Sequence, residues 1–346
     1  MATIGQSTSI GHCKNKLEGP LFRGLQLARR IRPGQGLPGV EFMNNGTTLS
    51  GLMCAFLSSS CVPAGGIDNS SVLADGAGVV KIAADFIFTE GPTADSEGNL
   101  YFVDQDNNRI MKYDTLGKLT TFMQPSGYSN GMSFDNKGNL LAAADERNEL
   151  WSIDVTTGSA TTLVSSYHGT LLNAPNDIWV HPRSGHVYFT DPWYPRSWWD
   201  RGPQENPPAV YRYNPDDESI TRVIDDLQQP NGIIGTPDGK LLYVADIDAG
   251  QTFVYAIADD GELQDKRLFC GYGSDGMTVD SNDNVYLTTG QHVQVFDREG
   301  RHIAAIEIAE APSNVAFGGV DGQTLFITAR TGLYSVRTRV KGVGPQ

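Results

Sequence analysis

Cysteine is scarce in this chain, and its placement matters more than its number. Of four cysteines, Cys13, Cys54 and Cys61 fall within the first 75 residues, and Cys270 stands alone in the remainder. The main body therefore has no internal disulfide, and without paired Cys/His spacing a Cys/His zinc site is excluded as well. Histidine is sparse too, with six in 346 residues. His181 and His186 flank one turn, and only His168 lies in a loop on the face where the candidate site forms, either as a base or substrate contact or as a solvated loop residue. A serine–histidine hydrolase is disfavoured accordingly. Basic residues are also in deficit: 26 Lys+Arg against 40 Asp+Glu give a net charge of −14. Such a surface repels nucleic acid and anionic membranes, so neither is an expected partner.

No apolar run is long enough to span a bilayer. The stretch TLSGLMCAFLSSSCVPAGG (48–66), preceded by basic residues from Arg23 to Arg32, reads as a signal peptide with its cleavage region, Met43 being an alternative start. A disordered extension is the other reading. The expected division is a leader or extension over 1–75 and one folded body over 76–346, exported if the leader is real and cytoplasmic otherwise.

What the chain has in quantity is repetition. Six times it runs through a polar residue, a short apolar strand, a glycine-containing turn and a second apolar strand. The second strands are LYFVD (100–104), LLAAAD (140–145), VYFTD (187–191), LLYVAD (241–246), VYLTT (285–289) and LFITA (325–329). The polar residues opening the first strands are Glu90, Asn130, Asn176, Asn231, Asp275 and Asn314, spaced 39 to 55 residues apart. Repeats of this length, each with several short strands, predict an all-β, six-bladed β-propeller with four antiparallel strands per blade. The last repeat ends near the C-terminus one strand short, so residues 79–85 are expected to supply its outer strand and close the ring. A ring closed on itself is simplest as a monomer.

In a propeller the first strands line the central channel, so the six polar residues converge at one mouth. Every one of them can offer oxygen to a cation. Calcium takes six to eight hard oxygen ligands, and two carboxylates with several amides suit it, or less well magnesium. Glu90, Asn176, Asn231 and Asp275 are the expected ligands. Asn130 and Asn314 are left as outer ligands, substrate contacts or plain turn residues. Glycine beside most of these residues predicts tight turns into the strands.

With their order and spacing, FTEGP (88–92), LNAPND (172–177), FTDPWY (189–194), QPNG (229–232) and GSDGM (273–277) resemble the gluconolactonase/regucalcin (senescence marker protein) family of calcium propellers over roughly residues 80–340. The resemblance implies a metal-dependent lactonase, with the same four residues on one calcium ion and Asp275 as base or nucleophile. Related fluorophosphatases share the ring, so a phosphotriesterase is the alternative, and a non-catalytic calcium-stabilised binding propeller is another. One departure stands out: sugar-lactone members often carry a basic residue just before the PND-type motif, where this chain has Thr170-Leu171-Leu172.

The longest spacing holds DPWYPRSWWDRGPQENPP (191–208), with three of the five tryptophans. Over the mouth, Trp193, Tyr194 and Arg196 would form a wall for a small ring-shaped substrate. A loop packed on itself, or an oligomer contact, is the competing reading.

Overall fold

The second strand of every repeat reads as an unbroken apolar run because both of its faces are covered. In the computed structural model, which describes residues 68–344, Leu100–Asp104, Leu140–Ala144 and Val187–Asp191 are buried at every position. Each is second in a four-stranded antiparallel sheet. Its side chains pack into clusters shared with the next sheet, as where Leu141 and Ala143 meet Ile178, Val187 and Phe189. With both faces dry, the usual alternation of apolar and polar residues disappears.

Blade one consists of Thr89–Ala94, Leu100–Asp104, Arg109–Tyr113 and Leu119–Met123. The other blades repeat that order, with channel strands Ser129–Phe134, Ile178–Val180, Pro230–Gly235, Met277–Val279 and Pro312–Gly318. Each channel strand packs against the next and the sixth returns to the first. The protein is a six-bladed β-propeller, as the repeats predict. The only helical element among the described residues is a 3-10 turn, Asn69–Ser71, and no helix there is long and apolar enough to cross a membrane.

Closure follows the expected scheme. Val80–Ala83 pairs antiparallel with Gly332–Arg337, Lys81 lying opposite Tyr334. Glu310 rivets this seam, its carboxylate accepting from Lys81 Nζ at 2.6 Å, Tyr334 OH at 2.6 Å and Thr331 N at 3.0 Å. Burial pushes the Glu310 carboxyl up, but bonds from Lys81, Tyr334 and Thr331 outweigh it and hold the pKa at about 2. A carboxyl depressed on folding contributes stability above its unfolded pKa and loses it as pH falls toward the folded value. Glu310→Gln is therefore expected to cost about 1 kcal/mol at neutral pH. In denaturant titrations, that deficit should shrink as pH drops from 4.5 toward 2.

Residues 68–75, grouped with the leader in the sequence reading, pack on the propeller. Asn69 exchanges two hydrogen bonds with the Ala305 backbone at 2.8 and 2.9 Å, Val72 is fully buried among blade five and six residues, and Leu73 bridges Thr338. The signal-like run and Cys13, Cys54 and Cys61 lie outside the described residues; Cys270 is a buried free thiol. At the far end of the channel the C-terminal segment is held by turns of blades five and six. Ser281 N donates to Lys341 O at 2.8 Å and Gly342 N to Gly322 O at 2.9 Å. Val343 and Gly344 then help line a channel cavity of about 150 Å³.

Candidate metal centre at the channel mouth

The ring residues all sit where the ladder between the first two strands is interrupted. In blades one, two and four the register shifts just beyond Glu90, Asn130 and Asn231, and in blade six it shifts at Asn314. In blades three and five the strand begins only at Ile178 and Met277, two residues past Asn176 and Asp275. A bulge bends the strand and re-aims a side chain, which is how six strand-opening residues come to face one mouth. Glu90, Asn130, Asn176, Asn231 and Asn314 are buried to between 2% and 6% exposure. Asp275 is only half-buried, the ring member a small molecule can reach.

Glycine beside the ring has a different role from the one expected. Gly91 alone of the four needs a left-handed backbone, with φ of 53°. All four make room: a Cβ on Gly91 would lie 2.1 Å from Asn130 O. A Cβ on Gly131 would lie 2.2 Å from Asn176 O, and one on Gly276 would lie 1.9 Å from the Asn314 side chain. Each glycine following a ring residue thus lets the next blade's ring residue close in. Blade three breaks the series with Asp177 at that position. This buried carboxylate accepts from Asn314 Nδ2 at 3.0 and 3.3 Å. Asp177 is not among the expected ring ligands; its signal in the sequence is a lone acidic residue in a position otherwise held by glycine in blades one, two, four and five.

The electrostatics are lopsided. Burial, then the charges of Asp275 and Asp177, push the Glu90 carboxyl well above its usual range. Burial and Asp275 do the same to Asp177. Burial takes Asp275 up to about 6. No Lys, Arg or His hydrogen-bonds to these three carboxylates among the described residues. Asn231 Nδ2 donates to Asp275 Oδ1 at 2.9 Å and to Tyr194 OH at 3.1 Å. With both amide protons engaged, Asn231 Oδ1 is fixed in direction, buried and without a partner, and Asn130 Oδ1 is likewise orphaned. Buried polar atoms are seldom left unpaired. No three His, Cys, Asp or Glu side chains among the described residues could hold a metal by themselves, so a hard cation here would draw on the amide oxygens. That donor set, carboxylates to which no cation hydrogen-bonds and amide oxygens lacking donors, fits calcium.

The 191–208 loop touches the ring through Tyr194. Burial raises that hydroxyl to about 12, so it is neutral at physiological pH. The rest of the loop packs on itself, on blade two and on the segments leading into blades three and four. Trp198 stacks on Tyr128 with centroids 4.4 Å apart, and Arg201 lies between Trp193 and Trp199 at 5.0 and 5.3 Å. Gln229 clasps the Trp193 backbone from both sides, at 3.0 and 3.4 Å. Arg196 is paired with Asp145 at 2.8 Å. Arg201 donates to Leu172 O and Asn173 O, both at 2.8 Å, so the uncharged stretch before the PND-type motif does receive a cation. His168 tips the hairpin between Ser166–Tyr167 and Thr170–Leu171, exposed and stacked on Tyr167 at 4.0 Å, with no hydrogen bond to the ring. A nucleophile elbow is not expected in a chain that disfavours a serine hydrolase, yet residues 127–131, Gly-Tyr-Ser-Asn-Gly, spell one. Ser129, however, is buried in a channel strand and donates to Ser126 O at 2.6 Å, far from the exposed strand-to-helix turn such a nucleophile needs.

Residues 88–331 match the SMP-30/gluconolactonase/LRE-like region. A gluconolactonase of Zymomonas mobilis is 29% identical over 75% of this chain and 81% of its own length. The lactonase drp35 of Staphylococcus aureus is 33% identical over 38% of this chain and 41% of its own. Among solved structures, a gluconolactonase of Xanthomonas campestris superposes with a TM-score of 0.72 at 28% identity, covering 78% of this chain and 91% of that one. The motifs, the propeller and the extent of the match agree, and the chain belongs to the SMP-30/gluconolactonase/LRE-like family.

Proposed function

We propose that this protein is a hydrolase that opens a small sugar lactone at the channel mouth, with one calcium ion held by Glu90, Asn176, Asn231 and Asp275. The observation that carries the metal is the pair of orphaned amide oxygens, on Asn130 and Asn231, beside carboxylates to which no cation among the described residues hydrogen-bonds. The gluconolactonase and lactonase relatives support the substrate class. Bound there, calcium supplies Lewis-acid polarisation of the lactone carbonyl and offsets the charge that develops on its oxygen.

The remaining work falls to side chains. Asn231 holds Asp275 by Oδ1, and Oδ2 accepts no hydrogen bond among the described residues, which leaves it open to take a proton from an attacking water. The water oxygen bonds to the carbonyl carbon, the ring C–O bond breaks, and the departing ring oxygen takes up the proton Asp275 received, giving a hydroxy acid. Tyr194 borders this space on the loop side through its bond with Asn231, and Asn130 lends its free oxygen to the ion or to a substrate hydroxyl.

Hydrolysis of a panel of small lactones, gluconolactone among them, tests the reading. Chelator-treated protein is expected to be inactive and to regain turnover with calcium. Calcium binding without turnover of any lactone would shift attention to phosphotriesters, which need the same ring, and then to a binding module. Turnover unaffected by chelation would overturn the metal assignment.

A further inference from the structure

The aspartates that end the second strands serve a repeating purpose, and one of them departs from it. In blade one Asp104 accepts from Ile87 N and Phe88 N at 3.0 and 3.4 Å. In blade three Asp191 accepts from Asn173 N and Ala174 N, both at 2.9 Å. In blade four Asp246 accepts from Gln228 N and Gln229 N at 2.8 and 3.0 Å. Each time the donors stand three and two residues before the ring residue, so the aspartate fixes the approach of its own channel strand.

Blade two has Asp145 at the matching place, but its segment is held differently: Tyr128 N donates to Asn108 Oδ1 at 2.8 Å. Asp145 is thereby released. It stays buried at 1% exposure, with Oδ1 unpartnered and Oδ2 taking Arg196 Nε at 2.8 Å and Gln105 Nε2 at 3.4 Å. Its backbone carbonyl accepts from Trp199 Nε1 at 2.8 Å. Both of the short bonds come from the 191–208 loop. A carboxylate this deep is costly without a cation, so detaching the loop would strand a buried charge, and the pair biases the loop toward its docked position.

We infer that Asp145 is a positioning residue, anchoring Arg196 and Trp199 so that the 191–208 loop stands as a fixed wall for the substrate ring. This rests on the lactonase reading for its substrate but not for its geometry. Asp145→Asn keeps size and loses the charge that holds Arg196. In the full-length, calcium-loaded protein it is expected to raise KM about tenfold while kcat stays within about threefold, with calcium affinity by calorimetry unchanged. Acrylamide quenching of tryptophan fluorescence should rise, since three of the five tryptophans lie in the loop. Asp145→Glu should recover part of the KM. Should Asp145→Asn fail to fold, Trp199→Phe, which keeps an aromatic ring and removes the indole bond to Asp145 O, carries the same test on the loop's other anchor.

Unchanged quenching in a folded variant would overturn the inference, and so would calcium affinity falling in step with kcat. A wild type that opens no lactone would sink the proposed function instead, and the quenching experiment would still decide whether Asp145 holds the loop.

Discussion

Replacing Asp275 by asparagine is expected to lower kcat about 1000-fold or more while the propeller stays folded. Asparagine matches aspartate in shape, and its carbonyl oxygen can still accept from Asn231 Nδ2, now 2.9 Å from Asp275 Oδ1. What it cannot do is take a proton at the other position, where Oδ2 stands free of hydrogen bonds. Burial already holds this carboxyl high, at about 6, so removing its charge does not leave a strained vacancy of the kind that unfolds a protein. Circular dichroism and thermal unfolding should match wild type, and turnover on the best lactone should not. A variant retaining a tenth of wild-type kcat would remove Asp275 from the chemistry. Single turnover in labelled water separates the two roles open to the residue: label entering the Asp275 carboxylate marks direct attack on the carbonyl, and its absence marks a general base. A binding module would respond differently again, keeping its affinity with no rate to lose.

The ring was legible because it rests on a pattern of one chain against itself. Six apolar second strands at regular spacing define the blades, and the polar residue opening each first strand can be read without knowing any contact. Closure was legible for the same reason, since blade six runs short of strands. The features that escaped depend on neighbours from other blades. Asp177 has its only side-chain partner on Asn314, 137 residues away. Asp145 differs from Asp104, Asp191 and Asp246 only in what surrounds it, and the letters at the strand end are the same. Tyr194 was read as a substrate wall from its aromatic ring, while its hydroxyl contacts Asn231. Local turn chemistry suggested backbone freedom as the reason for the ring glycines, and only one of the four has a positive φ. Packing between blades supplied the other reason.

That packing gives Gly131→Ala a large expected effect on stability that is purely steric. Gly131 has an ordinary backbone conformation, so alanine brings no dihedral penalty; the whole effect is steric. The new methyl would lie 2.2 Å from Asn176 O, 2.5 Å from Asp177 Oδ1 and 2.7 Å from Asp177 Cα. Two of these three are backbone atoms, held by the bond from Gly131 N to Asn176 O at 2.8 Å and by Asn176 N donating to Thr190 O at 2.8 Å, so no side-chain rotation relieves the clash. Blades two and three must part. The expected cost is about 3 kcal/mol, read as a fall in Tm of roughly 6–12 °C for a domain of this size. Gly271→Ala is the control, because nothing lies within 4 Å of its added methyl, and it should unfold like wild type. The two positions differ in what faces them across the blade boundary, so a Gly131→Ala variant within about 1 kcal/mol of the control would mean the blades have slack at the mouth. Without that slack, the added methyl pushes Asn176, which Gly131 N bonds at its O, away from its place in the ring. The same variant should therefore bind calcium more weakly, and the loss of stability and of affinity should appear together, because one close approach between blades two and three underlies both.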